Sequence, residues 1–190
     1  MALNNMSFYT LKSDTVNYGV FIEEIPENKE SIMQLSEKNR WRSFGLEYSP
    51  IVVSLGASDT GKKEFNFDIC GFLSPFFVFS EKAIDELSDI LLPRGEVLDI
   101  MTDSQENKFF GYYPTNPLKN CFDREKSVYR EYPNGLLIRK HSLIEDNIED
   151  EYLFTIEEDI SSVFVTDKFV ERVKCSGLVG FDFSSEIEAN

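Results

Sequence analysis

Apolar and polar positions alternate along much of this chain with the two-residue period of strands, and only a few stretches switch to helical spacing. The opening SFYTLKSDTVNYGVFIEEI alternates weakly around Asp14 and Asn17 and predicts two short strands joined by a turn. From Pro26 to Arg40 the spacing turns helical. Pro26 suits a first turn, Glu27 and Glu30 favour its positive end, and Ile32, Met33 and Leu35 are placed to face inward. SPIVVSL then predicts a β-branched strand, and EFNFDICGF sets Phe65, Phe67 and Ile69 on one face of another. Asn134-Gly135, between VYREYP and LLIRK, predicts a hairpin turn. The polar tail SSEIEAN predicts a frayed end.

Two stretches share a unit of strand, capped helix and returning strand. In FVFSEKAIDELSDILLPRGEVLDI, Phe77–Phe79 form the strand and Ser80 the N-cap. Ala83, Ile84 and Leu87 supply the helix face, Pro93 and Gly95 break it, and EVLDIM returns. In VFVTDKFVERVKCSGLVGFDF, Thr166 is the cap, Val170 and Val173 face inward, Gly177 closes the helix and LVGFDF returns. Ser80 corresponds to Thr166, Glu81 to Asp167, Lys82 to Lys168, Ile84 to Val170 and Asp85 to Glu171. A capping residue followed by an acid suits any helix start, so the match is either a structural repeat or shared helix-start chemistry. The expected fold class is α+β, with mixed or antiparallel sheets, a few short helices, and room for two related strand–helix–strand units. An N-terminal strand and helix region (1–64) and the remainder (65–190) are expected to form one continuous globular domain.

Composition supports a folded core: 42% of the 190 residues are apolar and seventeen are Phe. Thirty-four acidic against nineteen basic residues leave a formal charge of -15. That balance argues against nucleic acid or an anionic membrane as partner and suits a basic protein, although it also serves solubility alone. No apolar run approaches the ~20 residues that span a bilayer. MALNNMSFYTLKSDTV lacks a basic stretch leading into an apolar one, so a signal peptide is not expected. Cys70, Cys121 and Cys175 are odd in number and widely spaced, as suits reduced thiols. A cytoplasmic location is expected.

Candidate chemistry is sparse. GASDTGKK, Gly56 to Lys63, satisfies G-x-x-x-x-G-K but puts Lys63 where a magnesium-holding Ser or Thr belongs, and a period-two stretch follows where a helix is needed. A polar hairpin loop is the expectation there. The single histidine, His141, excludes a histidine-rich metal site and is expected on a strand, at the surface or half-buried. No cysteines share C-x-x-C spacing, no EF-hand register occurs, and carboxylate pairs such as Glu157-Glu158 carry no information in so acidic a chain. Neither catalytic residue, metal nor cofactor is assigned.

The acidic run remains. Eight Asp or Glu and no Lys or Arg lie between Leu143 and Ile160. One reading is a solvated loop plus a strand. The other is a docking surface in which Glu145, Asp146, Glu149, Asp150, Glu157, Glu158 and Asp159 steer a basic partner, with Tyr152 and Phe154 as apolar anchors. Phe154 is equally suited to the core.

GFLSPFFVFSEKAIDELSDIL followed by YLFTIEEDISSVFVTDKFVERVKCSGLVGFDF resembles the Imm11-type immunity proteins of bacterial polymorphic toxin systems. The similarity lies in the strand Val163 to Val165, the Thr166-Asp167 helix start, the helix to Lys174, and the Gly177 to Phe181 close. Leu153, Phe154, Ile156 and Glu157 match an acidic-aromatic segment just before it. The resemblance spans roughly residues 65 to 183 and implies a non-enzymatic protein whose partner is a cognate toxin domain, bound in the cytoplasm. A basic toxin is favoured by charge. The alternatives are a small enzyme using His141 or a carboxylate pair, and a general interaction or regulatory module.

Overall fold

A computed structural model describes residues 6–190, and the fold is α+β. At its centre lies a six-stranded mixed sheet in the spatial order Pro117–Leu118, Leu153–Ile156, Asp159–Thr166, Phe8–Thr10, Glu186–Ala189, Ser142–Leu143. The two outermost pairings are parallel and the inner three antiparallel. Strand side chains alternate between faces, and here both faces are buried. Val163 and Val165 point into one core with Leu153, whereas Phe164 points into a second with Phe8, Phe154, Ile156 and Leu143.

The larger core is shared with a four-stranded antiparallel sheet, in the order Ile69–Cys70, Phe77–Ser80, Phe109–Pro114, Gly95–Leu98, and with a three-stranded sheet of Val20–Glu23, Ile51–Gly56 and Ile100–Thr102. Residues on both sides of position 64 enter it, from Leu11 to Leu178. The smaller core is roofed by the hairpin Val128–Tyr132 and Gly135–Lys140, whose Tyr129, Leu136 and Ile138 pack down onto it. The hairpin turn is Pro133-Asn134, one residue before the expected pair, because Tyr132 and Gly135 are already in register.

Four helices are described: α1 (Ile32–Asn39), α2 (Glu81–Glu86), α3 (Ser88–Leu91) and α4 (Asp167–Cys175). The helix expected from Pro26 starts only at Ile32. Ser31, five residues beyond the proline, caps it through a capping box with Gln34, and Glu23 accepts the Ile32 N–H at 2.9 Å, so the acceptors that satisfy a helix start converge there and not at Pro26. Ile32 and Ser36 face inward, while Met33 and Leu35 stand exposed, which corrects the expected face.

Both strand–helix entries form. Ser80 accepts the Ala83 N–H at 3.0 Å. Thr166 occupies the matching cap position, but its hydroxyl donates to the Glu151 carbonyl and the Asp167 carboxylate accepts the Lys168 N–H instead. Val170 and Val173 are buried, and Gly177, at φ +63°, closes α4 with Leu178 N–H reaching back to the Val173 carbonyl. The returns differ. Gly95–Leu98 rejoins the sheet of its own entry strand, whereas Phe181–Asp182 pairs with Lys12–Ser13 in a separate ribbon.

The units clasp each other. Lys82 donates to the Gly177 carbonyl at the end of α4, and Arg172 donates to the Glu86 carbonyl and to Asp89. Asp68 joins the Ser80 hydroxyl to the Val179 N–H.

Three local expectations are corrected. Phe65, Phe67 and Ile69 do not share a strand; only Ile69–Cys70 is extended and paired, with Phe67 buried in the approach to it. The Gly56 to Lys63 stretch is no hairpin loop, since the strands that pair with Ile51–Gly56 are Val20–Glu23 and Ile100–Thr102. And SSEIEAN is not frayed. Glu186–Ala189 is an inner strand of the central sheet, where Ile187 and Ala189, alternating with glutamates, pack on the smaller core.

Candidate functional site

The eight carboxylates of the acidic run do not form one surface. Folding sends them to three places. Glu145, Asp146 and Glu149 lie in the connection from Ser142–Leu143 to Leu153–Ile156, with Asp150 at its end in a left-handed turn. Glu145 is half-buried and accepts the Met6 N–H at 2.8 Å. Asp146, Glu149 and Asp150 are exposed, and Asp150 pairs with Lys168 at 3.0 Å.

Glu151 and Tyr152 turn inward. Glu151 pairs with Arg94 at 2.7 Å in a half-buried bridge, and the Arg94 guanidinium sits 5.8 Å from the Tyr152 ring. Tyr152 is thus packed against the larger core and flanked by cations, and Phe154 is wholly buried. Neither is free to anchor a partner as a protruding side chain.

At the turn into the long central strand, Glu157 faces Lys119 at 3.6 Å, and Glu158 is half-buried with Oε2 lacking a hydrogen-bond partner. Asp159 is buried, which removes it from any docking surface. Its Oδ1 accepts from Ser161 N–H, Ser161 Oγ and Ser162 N–H, and its Oδ2 lies 2.7 Å from His141 Nε2. Burial alone would raise the carboxyl pKa. The bonds from His141 and the two serines outweigh it and hold Asp159 well below the usual carboxylate range.

His141 is half-buried, edge-on to Phe164 at 5.1 Å, and lies not on a strand as expected but in the one-residue break between Gly135–Lys140 and Ser142–Leu143. With Asp159 ionised, the imidazole nitrogen is the donor. The pair has the composition of a catalytic dyad, yet Ser161 Oγ bonds the carboxylate and not the imidazole. The same place carries structural weight instead. Trp41 Nε1 donates to the carbonyls of Ile156 and Asp159, so the Asp159 turn ties the chain after α1 to the central sheet.

The Gly56 to Lys63 loop folds back on the Asp14 to Asn17 turn. Ser58 Oγ accepts from Thr60 N–H and Lys62 N–H, Lys62 Nζ donates to Asn17, and Thr60 Oγ1 to the Val16 carbonyl. No helix follows, and the lysine that a phosphate would need is engaged. Cys70 and Cys121 are buried and Cys175 is exposed. Desolvation pushes the Cys121 thiol up to about 11, with Glu158 and Glu151 adding to it. Among the described residues, no three His, Cys, Asp or Glu converge as metal ligands, and no helix is long and apolar enough to cross a membrane.

The chain matches no protein-family model, and no curated protein matches it. The likeness to Imm11-type proteins therefore rests on the residues that carry it, and these are chiefly scaffold: Phe154, Ile156, Val163, Val165, Val173 and Leu178 are all buried.

Proposed function

We propose that this chain is an immunity protein that binds a cognate bacterial toxin domain in the cytoplasm and neutralises it by covering its active site or substrate surface. The observation that carries the reading is the charge left open on the surface. Asp146 and Glu149 have no cation within 4 Å among the described residues and stand exposed beside Asp150, on a chain of net charge -15. A basic toxin domain is the partner that this surface attracts, and steering of this kind speeds capture. The buried character of the resembling residues fits a scaffold that displays variable recognition surfaces. Co-expression tests the reading. The chain should restore growth to cells making the toxin-like product of the gene immediately upstream, and should co-purify with it; unrelieved toxicity with no complex would overturn it.

A further inference from the structure

We infer that the apolar anchor of the partner seats not on the acidic run but in a groove between α1 and the start of the strand Ile51–Gly56. This deepens the reading of a basic protein partner and rests on it. The groove encloses about 250 Å³, and Leu35, Phe44, Tyr48 and Ile51 give it an apolar floor. Around that floor stand Glu23, Glu24, Glu30 and Glu47 against Lys29, and with Lys38 just outside the lining the four carboxylates meet two cations, a net of -2. Glu30 is answered by Lys38, while Glu24 and Glu47 have no cation within 4 Å among the described residues.

Two of the floor's aromatic residues are already held by the fold. Glu96 accepts the N–H groups of Phe44 and Gly45, and the Phe44 ring packs on Tyr113 at 4.9 Å. The Tyr48 hydroxyl donates to the Asp99 carbonyl at 2.8 Å. Preorganised aromatic walls lose little entropy on binding, which is where hot spots concentrate.

The apolar surface also continues outward. Ile25, between the lining residues Glu24 and Pro26, and Leu46, next to the lining residue Glu47, stand exposed, Leu46 completely. On the outer face of the three-stranded sheet, Val52 pairs with Met101, and Ile22 shares that face. Ile22 and Met101 are each about half exposed, at 48% and 54%. An apolar surface of this extent on an acidic rim fits one kind of occupant: a cationic protein segment that carries a large apolar side chain. The acidic run then contributes to the rate of encounter, and the groove to residence.

A labelled amphipathic peptide of leucine and lysine, with a serine-and-lysine analogue of equal charge, is the probe. Wild-type protein should bind the leucine peptide saturably, with amide shifts at Leu35, Phe44 and Tyr48, and bind the serine analogue at least tenfold more weakly. The double variant Ile25→Ser, Glu47→Lys, at exposed positions that leave folding intact, should lose tenfold or more. Equal binding of both peptides, shifts confined to residues 145–159, or an unaffected double variant would each overturn the groove. Protection from the toxin separates the two proposals. Undiminished protection by the double variant sinks the groove alone, and peptide binding by a chain that protects against no toxin sinks the immunity reading alone.

Discussion

Replacing Asp159 with Asn keeps the shape of the side chain and removes its charge. The three bonds from Ser161 and Ser162 converge on one oxygen, which asparagine retains as a weaker, neutral acceptor. The other oxygen becomes an amide that faces the His141 nitrogen across 2.7 Å, donor against donor unless the imidazole changes tautomer. Hydrogen bonds to charged groups contribute about 1.5–3 kcal/mol, so losing one and weakening three should cost about 3 kcal/mol near neutral pH. For a chain of this length that lowers Tm by about 6–12 °C. The pH dependence gives the sharper test. The folded pKa of Asp159 lies below the unfolded value of ~3.9, so the unfolded chain binds the proton more readily. The stabilisation is therefore complete well above pH 4 and drains away as pH falls through that value towards the folded pKa. Urea unfolding of both proteins from neutral to acid pH measures it. The gap should be widest near neutrality and narrow below pH ~4, because asparagine does not titrate. A gap under about 1 kcal/mol at neutral pH, or one that stays constant into acid, would show that the buried carboxylate is not held as an ion by its bonds.

Three further outcomes are expected. Val170→Asp buries a charge on the inward face of α4, whose Phe169 and Val173 join the larger core, and should cost several kcal/mol, read as loss of a cooperative melting transition; an unchanged Tm would refute the burial of that helix face. Calorimetry with ATP or GTP in magnesium buffer should detect no saturable binding to the Gly56 to Lys63 loop; binding that Lys62→Ala abolishes would restore the phosphate-loop reading. Neutralising Glu145, Asp146, Glu149 and Asp150 to Gln or Asn should slow association with the toxin more than it speeds release. High salt should mimic the change, because the Debye length shrinks from ~10 Å at 0.1 M to ~3 Å at 1 M. A wild-type rate and salt slope would remove the run from the binding mechanism.

Local grammar was legible where a few neighbouring residues decide the outcome. Ser80 with Ala83, and Gly177 with Leu178, are start and stop signals whose partners lie within a few positions. Legibility failed where the deciding partner is remote. Pro26 reads as a helix start because nothing local reveals that Glu23, on a strand, tethers Ile32. Leu35 follows Ile32 at helical spacing, but α1 turns Ile32 and Ser36 inward, with the Ser36 carbonyl taken by the Tyr113 hydroxyl 77 residues on. Asp159 was indistinguishable from its acidic neighbours, since His141 and the sheet that buries it are assembled only in three dimensions. The groove draws its floor from segments that each look like ordinary surface. SSEIEAN reads as a frayed end on its own, yet two apolar residues, Ile187 and Ala189, suffice for a strand that finds partners on both sides.

That last strand has a consequence for how the protein comes into being. Phe8–Thr10 is flanked in the finished sheet by Asp159–Thr166 and Glu186–Ala189, strands made about 150 residues or more after it. At about 5–20 residues per second, the early strand waits roughly 10–40 s for its neighbours. Throughout that interval Phe8, which ends wholly buried, has neither of its sheet partners. The central sheet is thus assembled after the fact, and chains halted before residue 153 should leave residues 8–10 open to protease while full-length chains protect them. For such a molecule the order of one early strand is deferred until two distant ones exist, so timing along the chain is itself a condition of order.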